Sequence, residues 1–288
     1  MRRDARRDLG LHLKKAAASG IALLALGAIA GACGEDSSSE GSGTAETTAT
    51  ATTTTGTGLL VVALGDSETT GAGDPTGVGW VGRYARLLRK KLDLEVHVTN
   101  LAVDGKTSEQ LLSEVRNDPT TRAKLEKAQV VLLGIGGADL NAGDDAFAAG
   151  RCRAEACYAR VLKSFARNFD AMVAAIRKLR GSNNTALRSI TQPNVLTGAE
   201  DVIPPFLKPI ATRIGTYQAK TANRSICQVM AEHDGRCIDV LEAFNGRDGT
   251  ENAYEKGLLN HEDCCYPSAD GQQLMAELLF KTGLAPVR

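Results

Sequence analysis

A serine stands where a chain can present it for chemistry. Leu59-Leu60-Val61-Val62-Ala63-Leu64 is a continuous apolar run, followed at once by Gly65-Asp66-Ser67-Glu68-Thr69-Thr70-Gly71. A run of that kind suits a strand buried on both faces. A serine on the turn leaving such a strand sits at the carboxyl edge of the sheet, beside backbone N–H groups, and can act as a nucleophile. Gly-Asp-Ser is also ordinary turn chemistry, so the serine needs a base. The chain has only four histidines. His12 lies in the basic N-terminus, His97 falls inside a strand pattern as a structural residue, and His233 ends a helical pattern where a cation suits the dipole. His261, two residues before Asp263, is the remaining candidate.

The elements that must position Ser67 follow from periodicity. Besides the first run, strands are expected at Leu94–Val98, Val130–Ile135, Leu187–Thr191 and Cys237–Leu241. Helical patterns occupy Val81–Lys91, Ser108–Arg116, Tyr158–Leu179, Pro209–His233 and Ser268–Phe280. Alternating strand and helix predicts an α/β three-layer sandwich around a central, mostly parallel sheet, flavodoxin-like in architecture. Ligand sites in such sheets lie beyond the carboxyl ends of the strands.

The segment around Ser67 resembles the first block of the SGNH, or GDSL, hydrolases, whose serine is the nucleophile. Asn100-Leu101-Ala102-Val103-Asp104-Gly105 is similar to the second block, which implies an oxyanion N–H at Gly105. Asp263-Cys264-Cys265-Tyr266-Pro267 stands where the family has Asp-x-x-His-Pro, so Asp263 inherits the orienting acid and Tyr266 replaces the general base. Gly136-Gly137-Ala138-Asp139 stands for Gly-x-Asn-Asp, so Ala138 replaces the asparagine that donates to the oxyanion. The resemblance implies an SGNH-hydrolase-like domain over residues 58–288 with an incomplete catalytic set. Tyrosine, with an ordinary pKa of about 10, is a poor base at neutral pH. The expected function is a ligand-binding relative without competent ester hydrolysis. The alternative is a weak serine esterase or lipase acting on acyl esters through Ser67, with His261 as base. Asn141 reads as a loop or helix-start residue, and Glu68 as a solvated first-turn residue.

Residues 1–32 combine six Lys/Arg with a small-residue apolar run and read as a lipoprotein-type signal peptide. Ala30-Gly31-Ala32-Cys33 resembles a bacterial lipobox, which implies lipidation of Cys33 and attachment to a membrane. Residues 33–57 are dominated by Thr, Ser and Gly and carry four acids and no base, the composition of an extended tether. An extracytoplasmic location, lipid-anchored to a bacterial cell membrane, is the expectation, with secretion as the alternative. Six further cysteines, Cys152, Cys157, Cys227, Cys237, Cys264 and Cys265, are then disulfide candidates. Cys152 with Cys157 suits a short closure of a loop over Leu140–Ala156 beside the cleft. Adjacent Cys264 and Cys265 are expected to reach elsewhere, as far as Cys227 and Cys237. Residues 58–288 are charge-balanced with no basic stripe, which argues against nucleic acid. No spacing fits a metal, and no cofactor is expected. The expected partners are the membrane and an acylated or glycan ligand, bound by a monomer.

Overall fold

The computed structural model describes residues 58–180, 185–203, 205, 207–262 and 265–287. The expected signal peptide, tether and lipidated Cys33 therefore lie outside the described residues, as do Asp263 and Cys264.

Alternation in the first apolar run builds the centre of the molecule. Strand β1 (Leu59–Gly65) sends Val61 and Ala63 into one apolar layer and Val62 and Leu64 into the other. Strand β3 (Val130–Gly134) does the same with Val130 and Leu132 against Val131 and Leu133. Two-sided burial explains why both runs are apolar without interruption. With β2 (Val96–Asn100), β4 (Ala186–Ile190) and β5 (Arg236–Ile238) they form one sheet in the order β2-β1-β3-β4-β5, every pair parallel. The chain changes direction of growth between β1 and β3, the switch point at whose carboxyl edge sheets of this kind bind ligands.

Helices cover both faces. On one side lie α2 (Gly79–Leu92), contributing Trp80, Tyr84 and Leu88, and α9 (Ala269–Lys281), contributing Met275 and Leu279. On the other lie α3 (Ser108–Asn117), α4 (Pro119–Lys127), α6 (Ala156–Arg180) and α7 (Ala211–Glu232), with Leu111, Leu125, Phe169 and Ile226 inward. The remaining helices are α1 (Ser67–Thr70), α5 (Gly137–Ala148) and α8 (Val240–Asn245). Among the described residues no helix is long and apolar enough to cross a membrane.

The structure corrects several sequence expectations. The last strand stops at Ile238 rather than running to Leu241, because Asp239 Oδ1 accepts the Glu242 N–H (2.9 Å) and starts α8. Helix α4 was hidden by its polar composition, but Asp118 caps it and Pro119 opens it. Leu140–Ala156 is not a loop throughout, since α5 occupies its first half and includes Asn141. Gly143 in α5 lies against the Tyr158 ring, and Tyr158 Oη donates to Asp144 Oδ1 (2.5 Å). A helix docked through a glycine and a hydroxyl leaves little apolar periodicity to read.

Cys152 and Cys157 are bonded, as expected. Cys227 is bonded to Cys237, not to Cys264 or Cys265. The tight return at Asp234-Gly235, where Gly235 N donates to Met230 O (2.6 Å), folds β5 back along α7 and brings the two Cα atoms to 5.2 Å. Cys265 is also disulfide-bonded.

Candidate functional site

Gly65 ends β1 in close contact with β3. A Cβ there would come within 1.9 Å of Gly134 O, so only glycine permits the strands to converge at this point. Asp66 then turns inward. Its Oδ2 accepts the N–H groups of Gly136 (3.0 Å) and Gly137 (3.1 Å), and its Oδ1 accepts that of Glu68 (3.3 Å). One buried carboxylate thereby fixes the turn after β1, caps α1 and clamps the loop after β3. Burial still raises the Asp66 pKa above the ordinary aspartate range, although the three N–H groups oppose the rise. Thr69 adds a second clamp, its Oγ1 donating to Gly134 O (2.8 Å). Ser67, half-buried, is the first residue of α1 and stands just beyond the carboxyl end of β1, next to the switch point between β1 and β3.

The second predicted segment is brought to this turn by three contacts. Asn100 Nδ2 donates to Thr69 O (2.7 Å), Thr70 Oγ1 donates to Asp104 Oδ1 (2.6 Å), and Val103 N donates to Gly65 O (3.2 Å). Gly105 is exposed at φ 73°, a left-handed conformation that glycine adopts without strain. The loop is secured further by Asp139, which receives Ser108 N (2.9 Å) and Ser108 Oγ (2.5 Å). Desolvation raises the Asp139 pKa, and the Ser108 donors partly offset it. Asp139→Ala strips buried Ser108 of both acceptors and is expected to cost roughly 2–3 kcal/mol. Urea unfolding measures that loss; an unchanged midpoint would show that the Gly105 loop does not depend on Asp139.

Ala138 sits half-buried in the first turn of α5, directly after the glycines that bind Asp66. Its methyl group offers no hydrogen bond. Tyr266 lies in the segment leading to α9. Its carbonyl accepts from Asn260 N (2.9 Å), and its Cβ packs where a Cβ on Gly73 would be, 2.6 Å away. Gln272 in α9 completes this junction, donating to Ala72 O (3.1 Å) and accepting from Trp80 N (2.8 Å). The last segment is thus docked on the loop that follows α1, as the sequence order requires. His261 is exposed and stacks on Tyr254, ring centroids 4.5 Å apart. His97 is exposed on edge strand β2, and His233 pairs with Asp170 (3.1 Å).

Glu68 departs from expectation. It is not solvated but 7% exposed, and the neutral Gln192 side chain, from the loop after β4, acts on it. Gln192 was not foreseen, because a polar residue beyond a strand carries no periodic signal. Nor was Asn194, which braces that loop by donating to Thr197 Oγ1 (2.8 Å), Thr216 Oγ1 (3.1 Å) and Gly249 O (2.9 Å). A separate cavity of about 470 Å³ opens at the start of α7, lined by Lys208, Thr212, Arg213, Thr216 and Thr250. No group of three or more His, Cys, Asp or Glu positioned to hold a metal ion occurs among the described residues.

Comparison with known proteins fits this arrangement. Residues 63–274 match the GDSL-like Lipase/Acylhydrolase family. A Bacillus subtilis protein, the uncharacterized YpmR, is 39% identical over 83 residues; that stretch spans 28% of this chain and 32% of YpmR. Among solved structures, the lipase Lip_vut3 from a goat rumen metagenome superposes with a TM-score of 0.66 at 24% identity, covering 80% of this chain and 100% of that one. A lipase/acylhydrolase from Enterococcus faecalis gives 0.54 at 21% identity, over 80% and 97% of the two chains. A variant of Axe2, an acetyl-xylooligosaccharide esterase from Geobacillus, gives 0.56 at 20% identity, over 81% and 98%. At these identities the structural likeness establishes the fold.

Proposed function

Because the chain belongs to the GDSL-like lipase/acylhydrolase family, we propose that it keeps the family's cleft but not its ester hydrolysis, and that it binds an acylated or glycan ligand there. The observation that carries this reading is the pair of replacements at the cleft. Tyr266 occupies the segment where the resemblance calls for the histidine base, and Ala138 occupies the position of the oxyanion asparagine. The surrounding scaffold is orderly: Asp66, Asn100, Asp104 and Asp139 hold the Ser67 and Gly105 loops together. A scaffold kept without its base is suited to holding a ligand rather than turning it over.

In the Ser-His-Asp template, loss of the base leaves only about 10³–10⁴-fold catalysis over water. Loss of one oxyanion donor typically costs about 10²–10³-fold. The two do not multiply, since residues acting as one unit are non-additive. His261, the alternative base, is exposed and lies against the Tyr254 ring. The reading also places the domain outside the cytoplasm, carried on a Ser/Thr/Gly tether from a lipidated Cys33. The disulfides Cys152–Cys157 and Cys227–Cys237 accord with an oxidising compartment.

A fluorophosphonate probe tests the loss of catalysis. The expected result is no rapid stoichiometric labelling of Ser67. Rapid labelling, together with hydrolysis of short-chain p-nitrophenyl esters that both Ser67→Ala and His261→Ala abolish, would establish an unconventional esterase instead.

A further inference from the structure

Two carboxyl groups flank Ser67 in the chain, and both point into the protein. Asp66, 1% exposed, receives three backbone N–H groups, from Gly136, Gly137 and Glu68. These donors favour its charged form. Glu68 is 7% exposed, and its Oε2 is buried with no hydrogen-bonding partner. A charged oxygen in that position would forgo its hydration with nothing in exchange. A neutral carboxyl group avoids most of that cost.

We propose that Asp66 and Glu68 hold a single proton between them, kept on Glu68, and that this neutral Glu68 is a positioning residue for the turn carrying Ser67. Removal of the proton puts two negative charges beneath one four-residue helix and displaces it.

The other charges acting on the pair point the same way. Asp139, at the start of α5, adds repulsion to Asp66, and Glu109 on α3 stands behind Asp139. Gln192, from the loop after β4, is neutral, and so is Asn223 of α7, which holds the Gln192 backbone (2.8 Å). On α2, Arg83 is committed to Asp74 (2.9 Å). Burial, first, and the Asp66 charge, second, push Glu68 from 4.5 up to about 8. The folded value therefore lies above the unfolded one. The stability this group contributes is complete below the unfolded pKa and is lost as pH rises towards 8.

The experiment compares the chain with Glu68→Gln, whose amide has the size and charge of a neutral acid. Between pH 6 and 8 the native chain is expected to lose about tenfold in folding equilibrium per pH unit relative to Glu68→Gln, read by urea unfolding. Carboxyl ¹³C NMR of the native chain should show Glu68 still protonated at pH 7, titrating apart from the other glutamates. The amide signals of Ser67, Gly136 and Gly137 should move in that same transition, a response that a merely space-filling glutamate would not produce. Titration of Glu68 together with the surface glutamates would overturn the proposal. So would amides that stay still, or a Glu68→Gln variant with the native pH dependence. Should Glu68→Gln fail to fold, the NMR titration of the native chain decides alone. None of these readouts involves ester hydrolysis, so the result stands apart from the loss of catalysis proposed above.

Discussion

Tyr266→His combined with Ala138→Asn is expected to raise hydrolysis of a short-chain p-nitrophenyl ester by at least about 10³-fold over the native chain. A positioned general base contributes about 10²–10⁴-fold, and an oxyanion donor about 10²–10³-fold. Because the two act as one unit, their product is an upper bound. The scaffold is ready to receive both side chains. Histidine leaves the backbone at the same Cβ that already packs on Gly73, so the substitution asks nothing new of that contact. Ala138 is half-buried at the first turn of α5 and belongs to neither apolar layer. Ser67→Ala in the doubly substituted chain should abolish the gain, and initial rates across the three chains measure it. If the double substitution leaves turnover at the native level, these two residues are not what sets the activity of the cleft.

Arg188→Ala should unfold the domain more readily than any surface change, by roughly 3–5 kcal/mol. Arg188 lies in β4, the second strand from one edge of the sheet, with no exposed surface, on the face that also carries Ala186 and Ile190. Its guanidinium reaches the C-terminal segment. Nε donates to Thr282 Oγ1 (2.8 Å), and Nη2 donates to Gly283 O (2.7 Å) and Ala285 O (2.8 Å), while Nη1 returns to Leu187 O (3.0 Å). Desolvation lowers its pKa, but arginine keeps its charge. Alanine would leave a void in a close-packed layer and three carbonyls without their donor. The expected result is a lower urea midpoint together with faster proteolysis after Lys281, where the chain leaves α9. A midpoint within about 0.5 kcal/mol of the native chain would show that the clasp is not structural.

These two substitutions divide the molecule by what each layer of information can say. The turn carrying Ser67 and the parallel α/β architecture were legible in the sequence, because two-sided burial forces unbroken apolar strands and a turn must follow each one. Gly65, Asp66 and Ser67 could be placed from their neighbours alone. Ala138 and Tyr266 are read as replacements only from the resemblance, although a residue type is visible without coordinates. Helix α5 was not legible, because it docks through Gly143 and the Tyr158 hydroxyl instead of an apolar stripe. The partner of Cys227 was equally hidden, since it depends on how tightly the chain returns from α7 to β5.

Charge state is the sharpest case. In the sequence Glu68 is an acid beside a serine, and exposure is the ordinary expectation for such a residue. Only the packed structure turns it inward, deprives one oxygen of a partner and sets it beside Asp66. The sequence alone determined which residue types stand in the segments around Ser67, because chemistry resides in residue type. Tertiary structure decided which of them share a desolvated space, because burial and hydrogen bonding are properties of chain segments distant in sequence and adjacent only after folding.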